Sequence, residues 1–345
     1  MKITLNSPLD MHLHLRDKEM LEVVAPLTAK SFSWAVIMPN LVPPVKTVED
    51  VRNYKERILK ASNGEKFNPY MTVFFHEELT RENLEELRWE ILSIKLYPAG
   101  ITTNSEGWAK DLLSEKSKKV FQNMSDLWII LNIHWETNDF VMDREKNFVP
   151  IYESLAQEFP KLKIIMEHIT TKESADLVVK YDNLFATITL HHLYITLDDV
   201  AGWMLEPHNF CKPIAKRPED RDALLKLALS WNPKIMFGSD SAPHPQSAKE
   251  CSHCSAWVFT SPVALQLLVQ LFDKNNSLDN LENFLTKNAI NIYDLHKPNI
   301  EVTWKWLRSI PEKIITLEKK EFTVPEKYSE VVPFMNGQTI EWSVV

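Results

Sequence analysis

The sequence predicts an α/β fold, a (β/α)₈ TIM barrel. Eight short apolar segments alternate with segments of helical period, a pattern typical of repeated βαβ units. The apolar segments are nearly continuous, as expected for strands buried on both faces. Only 6 of the 345 residues are glycine. The alternative, a doubly wound open sheet, normally has a glycine-rich first turn, and this chain has none.

The predicted elements follow one another as βα units. Thr47 and Asp50 have the spacing of a capping box at the start of a helix that ends near Ala61, and Thr80 starts the next helix. Further helical segments span residues 20–27, 151–159, 174–181 and 222–231. The predicted strands span residues 10–15, 34–38, 70–75, 93–97, 127–134, 163–168, 184–189 and 234–237.

Residues after about 275 lose the βα alternation. Their pattern is first helical and then irregular, and residues 331–342 predict a hairpin that turns at Asn336-Gly337. We therefore expect a single TIM-barrel domain over residues 1–345. Within it, residues from about 275 to 345 would form a C-terminal helical and hairpin extension packed on the barrel.

The composition is that of a globular protein, with 44% apolar and 25% charged residues. The formal charge of −8 argues against a broad surface for nucleic acid. Residues 1–7 lack the apolar core of a signal peptide, and no apolar run reaches membrane-spanning length. These observations predict a cytoplasmic protein that binds neither membranes nor nucleic acid.

Three cysteines, Cys211, Cys251 and Cys254, make a disulfide scaffold an unfavourable interpretation. The pair Cys251 and Cys254, with His253 between them, could be half of a zinc site or a redox pair. No second cysteine pair completes a structural zinc site, so a packed loop is the favoured interpretation.

Two histidines in the first predicted strand suggest a metal site. His12 and His14 are two residues apart and would point to the same side of a strand. Such a pair is common by chance, so the prediction depends on the other polar residues at strand ends. In a barrel these side chains converge on the C-terminal mouth, where active sites of this fold lie. They are Lys95 on the fourth strand, His134 ending the fifth, His168 ending the sixth and Asp240 after the eighth.

Imidazoles and a carboxylate are the ligand set of a borderline metal, most often Zn²⁺. Lys95 does not fit that set, because an ammonium group beside metal ions is electrostatically unfavourable. From the residues alone, Lys95 could be a Schiff-base nucleophile or a cation that binds substrate.

Five motifs carry a resemblance to a known family. They are DMHLHLRD at residues 10–17, MPN at 38–40, IKLYPA at 94–99, EHITT at 167–171 and GSDSAPH at 238–244. Together they resemble the bacterial, single-function (class II) dihydroorotases of the amidohydrolase superfamily, and the similarity covers nearly the whole chain.

The resemblance implies interconversion of (S)-dihydroorotate and N-carbamoyl-L-aspartate, the third step of de novo pyrimidine (UMP) biosynthesis. It also implies two Zn²⁺ ions, with CO₂ carried as a carbamate on Lys95 (N6-carboxylysine) that bridges them. A hydroxide between the ions would attack the ring amide, and Asp240 would act as base and then as acid. One ion would be bound by His12, His14, Lys95 and Asp240, and the other by Lys95, His134 and His168.

The same resemblance implies how the substrate carboxylate is bound. Arg16, Asn40 and His244 match residues that hold it, and arginine suits this role through its paired donors. Two alternatives remain open from the sequence: Arg16 could pair only with Asp17, and His244 could cap a turn.

Other residues would contact the ring or cover it. Lys212 and Ala256 would contact the ring through backbone groups, and Thr102 and Thr103 match a lid loop that closes over the substrate. Trp135 departs from the family pattern, in which a small residue is usual, and so puts the geometry of its loop in doubt. Members of this type are commonly homodimers, so the resemblance implies a homodimer that acts on a small-molecule substrate.

Two other functions compete with this interpretation. A cyclic amidohydrolase such as a hydantoinase or an allantoinase would share the metal ligands but bind a different ring. Arg16, Asn40 and His244 argue against it because they suit an acidic substrate. A non-catalytic barrel that has lost its metals is disfavoured because every ligand type is present.

Overall fold

The computed structural model describes residues 1–97, 112–134, 136–295 and 312–345. The strands are β1 Lys2–Asn6, β2 Leu9–Leu13, β3 Trp34–Ile37, β4 Asn68–Phe74, β5 Ser93–Leu96, β6 Ile130–Ile133, β7 Ile164–Met166, β8 Leu184–Ile188, β9 Ile235–Phe237, β10 Ile314–Thr323 and β11 Thr339–Val344. The strands β2 to β9 form one sheet in chain order, and each neighbouring pair is parallel. The predicted (β/α)₈ barrel is therefore confirmed.

Helices connect the barrel strands, and the predicted capping box is present. The backbone nitrogen of Asp50 donates to Thr47 Oγ1 (3.1 Å), and the backbone nitrogen of Thr47 donates to Asp50 Oδ2 (2.9 Å). The helices are α1 Lys18–Ser31, α2 Val48–Ala61, α3 Arg81–Leu87, α4 Glu115–Asp126, α5 Arg144–Glu158, α6 Lys172–Lys180, α7 Leu190–Tyr194, α8 Asp198–Ala201, α9 Pro218–Ala228, α10 Gln246–Lys249, α11 Ala264–Lys274, α12 Leu278–Glu282 and α13 Asn288–Tyr293, with a 3₁₀ turn at Pro207–Asn209 and a π-helical turn at Asn283–Lys287.

The barrel closes between β2 and the segment that follows β9. Leu13 and Ser241 form an isolated parallel bridge. The backbone nitrogen of Asp240 donates to the carbonyl of His12 (2.8 Å), and that of His14 donates to the carbonyl of Ser241 (3.1 Å). The closing seam thus brings three of the predicted metal ligands together by main-chain bonds alone.

Alternate residues of the strands pack in two buried layers. In β3, Ala35 and Ile37 pack with residues of α1 and α2, between the barrel and its helices. Trp34 and Val36 pack in a second cluster, which contains residues from other barrel strands and from α13. The nearly continuous apolar segments of the sequence reflect burial on both faces of the sheet.

A second, three-stranded antiparallel sheet contains both terminal strands, in the order β1, β10, β11. The sequence prediction of a hairpin turning at Asn336-Gly337 is wrong in its detail. Residues 334–337 form a turn, and the strand that pairs with β11 is β10, from which it is separated by the 15 residues 324–338. β10 contains the charged run Glu318–Glu321, so its strand character is hard to detect from an apolar pattern.

Among the described residues, no helix has the length and apolar character needed to cross a membrane.

Candidate metal centre and active site

Three electron-rich side chains meet at the closing seam of the barrel. His12 Nε2 and His14 Nε2 lie 3.3 Å apart, and Asp240 Oδ1 lies 3.4 Å from the first and 3.2 Å from the second. All three side chains are buried. Three potential ligand atoms so close together form a group that could bind a metal ion.

A second pair of histidines continues this cluster. His134, directly after β6, and His168, two residues after β7, place Nδ1 and Nε2 2.9 Å apart. The ring centroids of His168 and His12 are 4.9 Å apart, and those of His134 and His168 are 4.5 Å apart. The four predicted histidines therefore form one continuous group at the C-terminal ends of β2, β6 and β7.

His12 in β2 and His14 directly after β2 are oriented by polar side chains. His12 Nδ1 donates to Glu167 Oε2 (2.7 Å), and His14 Nδ1 donates to Asn40 Oδ1 (2.8 Å). With the proton on Nδ1, each imidazole presents the unprotonated Nε2 toward Asp240. This arrangement is typical of histidines that bind metal, in which the second nitrogen is fixed by a hydrogen bond.

Glu167 is itself held by neighbouring strands. Thr187 Oγ1 in β8 donates to Oε2 (2.6 Å), and Asn132 Nδ2 in β6 donates to Oε1 (2.5 Å). Burial alone would raise the pKa of Glu167, but the nearby His12 and Lys95 and the hydrogen bonds from His12 and Thr187 outweigh it and lower the pKa to about 2. Glu167 is therefore an anion at neutral pH. Glu167 opens the EHITT motif, but the sequence alone predicts no role for it.

Three residues of the site have left-handed backbone conformations. The φ angles are 59° at Arg16, 40° at His168 and 44° at Asp240. Non-glycine residues adopt this region at an energetic cost, and such residues cluster at functional sites. In a regular strand, Glu167 and His168 would point to opposite faces. The left-handed turn at His168 allows both side chains to reach the same site.

The backbone of Gly238, directly after β9, lies very close to the side chain of His12. A Cβ atom built on Gly238 would be 2.9 Å from His12 Cβ and 3.0 Å from Thr187 Cβ. Any larger side chain would push against β2 and β8, so a glycine is required by the close approach of these strands.

The electrostatics of the cluster fit a bound cation. Neither carboxylate oxygen of Asp240 accepts a hydrogen bond from any residue in the described ranges. Burial raises the pKa of Asp240 well above its ordinary value, although Lys95 and Arg16 oppose this shift. Burial lowers the pKa of His14 and of His168 well below the ordinary value, so both are neutral. Neutral imidazoles around a partnerless carboxylate are the donor set that Zn²⁺ binds.

Lys95 lies in β5 and is 0% exposed. Its Nζ lies 4.9 Å from the ring centroid of Tyr97 and has no hydrogen-bond partner among the described residues. Burial lowers the pKa of Lys95 to about 8, against the opposing effects of Glu167 and Asp240. A larger fraction of this amine is therefore neutral and nucleophilic at physiological pH than for an exposed lysine.

Arg16 and His244 form a pair beside this cluster. Arg16 Nη2 and His244 Nε2 lie 2.9 Å apart, and Arg16 also donates to the carbonyls of Pro243 and Ala242 (both 3.0 Å). The alternative in which Arg16 only pairs with Asp17 is not observed. The carboxylate of Asp17 instead accepts two bonds from Arg57.

The other predicted substrate contacts lie on different segments. Ala256 is buried and packs with Ala242. Burial is the main cause of the lowered pKa of His134, and the charge of Lys212 makes a smaller contribution in the same direction. Thr102, Thr103 and Trp135 lie outside the described residues.

None of the three cysteines forms a disulfide. Cys251 and Cys254 carry free thiols, and so does the buried Cys211. Cys211 Sγ lies 3.5 Å from His192 Nε2, which also contacts the carbonyl of Pro213 (3.0 Å).

The chain is similar to known proteins over nearly its whole length. The Amidohydrolase family model matches residues 9–306. The dihydroorotase of Helicobacter hepaticus is 41% identical over 347 residues, covering 99% of this chain and 97% of the relative. A crystal structure of the Campylobacter jejuni dihydroorotase has 52% identity and a TM-score of 0.91, covering 99% of this chain and 97% of that one. The Saccharomyces cerevisiae dihydroorotase in complex with 5-fluoroorotic acid has 33% identity and a TM-score of 0.91, covering 100% and 98% of the two chains.

Proposed function

Because the chain belongs to the amidohydrolase family and these full-length relatives are dihydroorotases, we propose that it interconverts (S)-dihydroorotate and N-carbamoyl-L-aspartate. This ring opening and closure is the third step of de novo pyrimidine biosynthesis. The observation that carries the proposal is the position of the Arg16–His244 pair, which is bonded to the main chain two and three residues beyond Asp240. A donor pair for an anion thus lies next to a cluster of metal-binding side chains.

We propose that the cluster binds two Zn²⁺ ions. When bound, the ions supply a Lewis acid for the ring carbonyl and lower the pKa of water. Lys95 would carry CO₂ as a carbamate, which its buried and partly neutral amine supports. The first ion would be held by His12, His14, Lys95 and Asp240, and the second by Lys95, His134 and His168.

Asp240 is the proposed proton carrier. Hydrolysis of the ring amide adds a hydroxyl to the carbonyl carbon, breaks the C–N bond and adds a proton to the departing nitrogen. A carboxylate oxygen of Asp240 accepts the proton from the attacking water and then donates it to that nitrogen. Its carboxylate is free for this transfer, since no described residue donates a hydrogen bond to it.

The substrate carboxylate would be bound by the Arg16–His244 pair together with Asn40. Arg16 uses Nε and Nη2 to bind protein carbonyls, so Nη1 is not used by these bonds. The yeast relative binds 5-fluoroorotic acid, a pyrimidine ring with a carboxylate, which supports an acidic ring as the ligand here. Lys212 and Ala256 would contact the ring through backbone groups.

The remaining parts of the proposal concern the whole chain. Thr102 and Thr103 would belong to a lid over the substrate. The protein would act as a cytoplasmic homodimer, and residues 1–345 would form one domain with a C-terminal extension from about residue 275. The pairing of β10 with both β1 and β11 supports this single domain.

The proposal is tested by incubating the purified protein with zinc, bicarbonate and dihydroorotate. We expect the ultraviolet absorbance of dihydroorotate to fall, about two equivalents of zinc to be bound, and activity to be lost on chelation and regained with zinc. If the protein hydrolysed hydantoin or allantoin but not dihydroorotate, dihydroorotate would be rejected as the substrate. No turnover of any cyclic amide by the zinc-loaded protein would favour a non-catalytic barrel.

A further inference from the structure

Trp257 has a backbone conformation that bulky residues rarely adopt. Its φ angle is 97°, in the region that favours glycine, and its side chain is only 5% exposed. A strained conformation of this kind persists only when the surrounding structure holds it in place. The indole should therefore make contacts that a glycine at this position could not make.

Two hydrogen bonds hold the strained backbone. The nitrogen of Trp257 donates to the carbonyl of Phe210 (2.7 Å). Lys249 Nζ donates to the carbonyl of Trp257 (2.6 Å) and to that of Phe210 (3.0 Å). A buried ammonium group thus ties two segments together. One contains Lys212 and the other Ala256, the two residues proposed to contact the substrate ring.

The indole covers the Arg16–His244 pair. The rings of Trp257 and His244 are stacked, with centroids 6.0 Å apart and planes inclined by 28°. The Cζ atom of Arg16 lies 5.9 Å from the centroid of the indole, within the range of a cation–π contact. Since Arg16 and His244 also contact each other, the three side chains form one packed unit.

We propose that Trp257 is a positioning and specificity-determining residue for a cyclic ureide that carries a carboxylate. Its indole fixes the orientation of Arg16 and His244, so that their donors face the carboxylate without further rearrangement. This inference rests on the proposed function, because it assigns the Arg16–His244 pair to the substrate carboxylate. The preorganised anion site offsets the energetic cost of the strained backbone at Trp257.

The test compares Trp257→Gly with the conservative variant Trp257→Phe in the full-length, zinc-loaded enzyme. For Trp257→Gly we expect KM for dihydroorotate to rise by about 5- to 30-fold, the range of a partly desolvated cation–π contact. We expect kcat to change by less than about twofold, because the contact acts on binding. Trp257→Phe keeps an aromatic face and should restore most of the affinity. Metal content should be unchanged in both variants.

Two inhibitors separate carboxylate recognition from a general change in the site. We expect the inhibition constant of orotate to rise with KM in Trp257→Gly, while that of uracil, the same ring without the carboxylate, stays unchanged. An unchanged KM in Trp257→Gly, or an equal loss of affinity for orotate and uracil, would overturn the inference.

A third variant tests the strain. Trp257→Gly and Trp257→Ala both remove the indole, but only glycine adopts a φ of 97° at little cost. We expect the glycine variant to have the higher Tm and the two variants to have similar KM values. A higher Tm for the alanine variant would contradict the strain.

If the wild-type enzyme did not turn over dihydroorotate at all, the proposed function would fail. If the wild-type enzyme were fully active and the Trp257 variants had its KM, only this inference would be overturned.

Discussion

Glu167 links two strands of the barrel to His12, one of the proposed metal ligands. It accepts hydrogen bonds from β6 and β8 and holds the Nδ1 proton of His12. The residue types of the ligands could be predicted from the sequence, because histidines and an aspartate at strand ends indicate this chemistry. The role of Glu167 could not be predicted, because alternation places it opposite His168. Only the left-handed φ of His168 brings both to one site.

Lys95→Ala tests the residue that would bridge the metals. We expect at least one equivalent of metal to be lost and kcat/KM to fall by about 100-fold or more, since loss of even an outer partner of a metal ligand costs 10- to 100-fold. The measurements are metal analysis and steady-state kinetics. Lys60→Ala on the exposed surface of α2 is the control and should behave as wild type. Two metals and a normal rate in Lys95→Ala would exclude the bridging role.

Arg16→Met tests the binding of the substrate carboxylate. We expect kcat/KM for dihydroorotate to fall by about 30-fold or more, because a buried charge partner is removed, while metal content stays the same. Arg57→Met is a matched control. Arg57 pairs with Asp17 at the surface, so its loss should leave the kinetics unchanged. Equal kinetics for Arg16→Met and wild type would reject the proposed contact.

Gly238→Ala tests the close approach at the seam. The added methyl group would meet His12 Cβ at 2.9 Å. We expect the free energy of unfolding to fall by about 1–3 kcal/mol from overpacking, and metal affinity to fall because His12 is displaced. Denaturant unfolding and metal titration measure the two effects. Gly64→Ala is the control, because its Cβ would meet no atom within 4 Å. It should leave metal affinity unchanged even though its φ of 77° makes alanine strained there. Unaltered metal affinity in Gly238→Ala would contradict the expectation.

At the scale of elements, the barrel strands and the terminal strands differ in how well the sequence predicts them. The strands of the barrel are buried on both faces and therefore appear as apolar runs. β10 has one solvated face and several charged residues, and its partners β1 and β11 lie at opposite ends of the chain. Neither periodicity nor turn residues specify such a pairing, so the predicted hairpin at Asn336-Gly337 was placed on the wrong residues.

Trp342→Ala tests how much the terminal sheet stabilises the protein. Trp342 in β11 is fully buried, and the backbone nitrogen of its neighbour Glu341 donates to Gln270 Oε1 of α11 (2.7 Å). Removing the indole leaves a cavity, and we expect the free energy of unfolding to fall by about 3–5 kcal/mol. KM should not change. Trp231→Ala, at a 68% exposed position, should change stability by less than about 0.5 kcal/mol. Similar losses for both variants would contradict the packing argument.

At the scale of the whole molecule, the barrel explains why residues far apart in the sequence form one site. His12, His134, His168 and Asp240 all lie at or after the carboxyl ends of parallel strands, so closing the sheet places them at one mouth. This is why the candidate site could be predicted once the fold was predicted. The hydrogen bonds that orient each ligand depend on tertiary distances and could not be predicted.

The hydrogen bond between His14 and Asn40 would couple the proposed metal binding to the polarity of the proposed substrate site. A histidine that offers Nε2 to a metal must keep its proton on Nδ1, and that proton is accepted by Asn40 Oδ1. The amide group is thereby fixed in one of its two orientations, with Nδ2 left as a donor. The tautomer of His14, a proposed metal ligand, would thus set which kind of atom Asn40 can bind, namely an acceptor such as a carboxylate oxygen. By thermodynamic reciprocity, an anion bound there would in turn favour the metal-binding tautomer of His14.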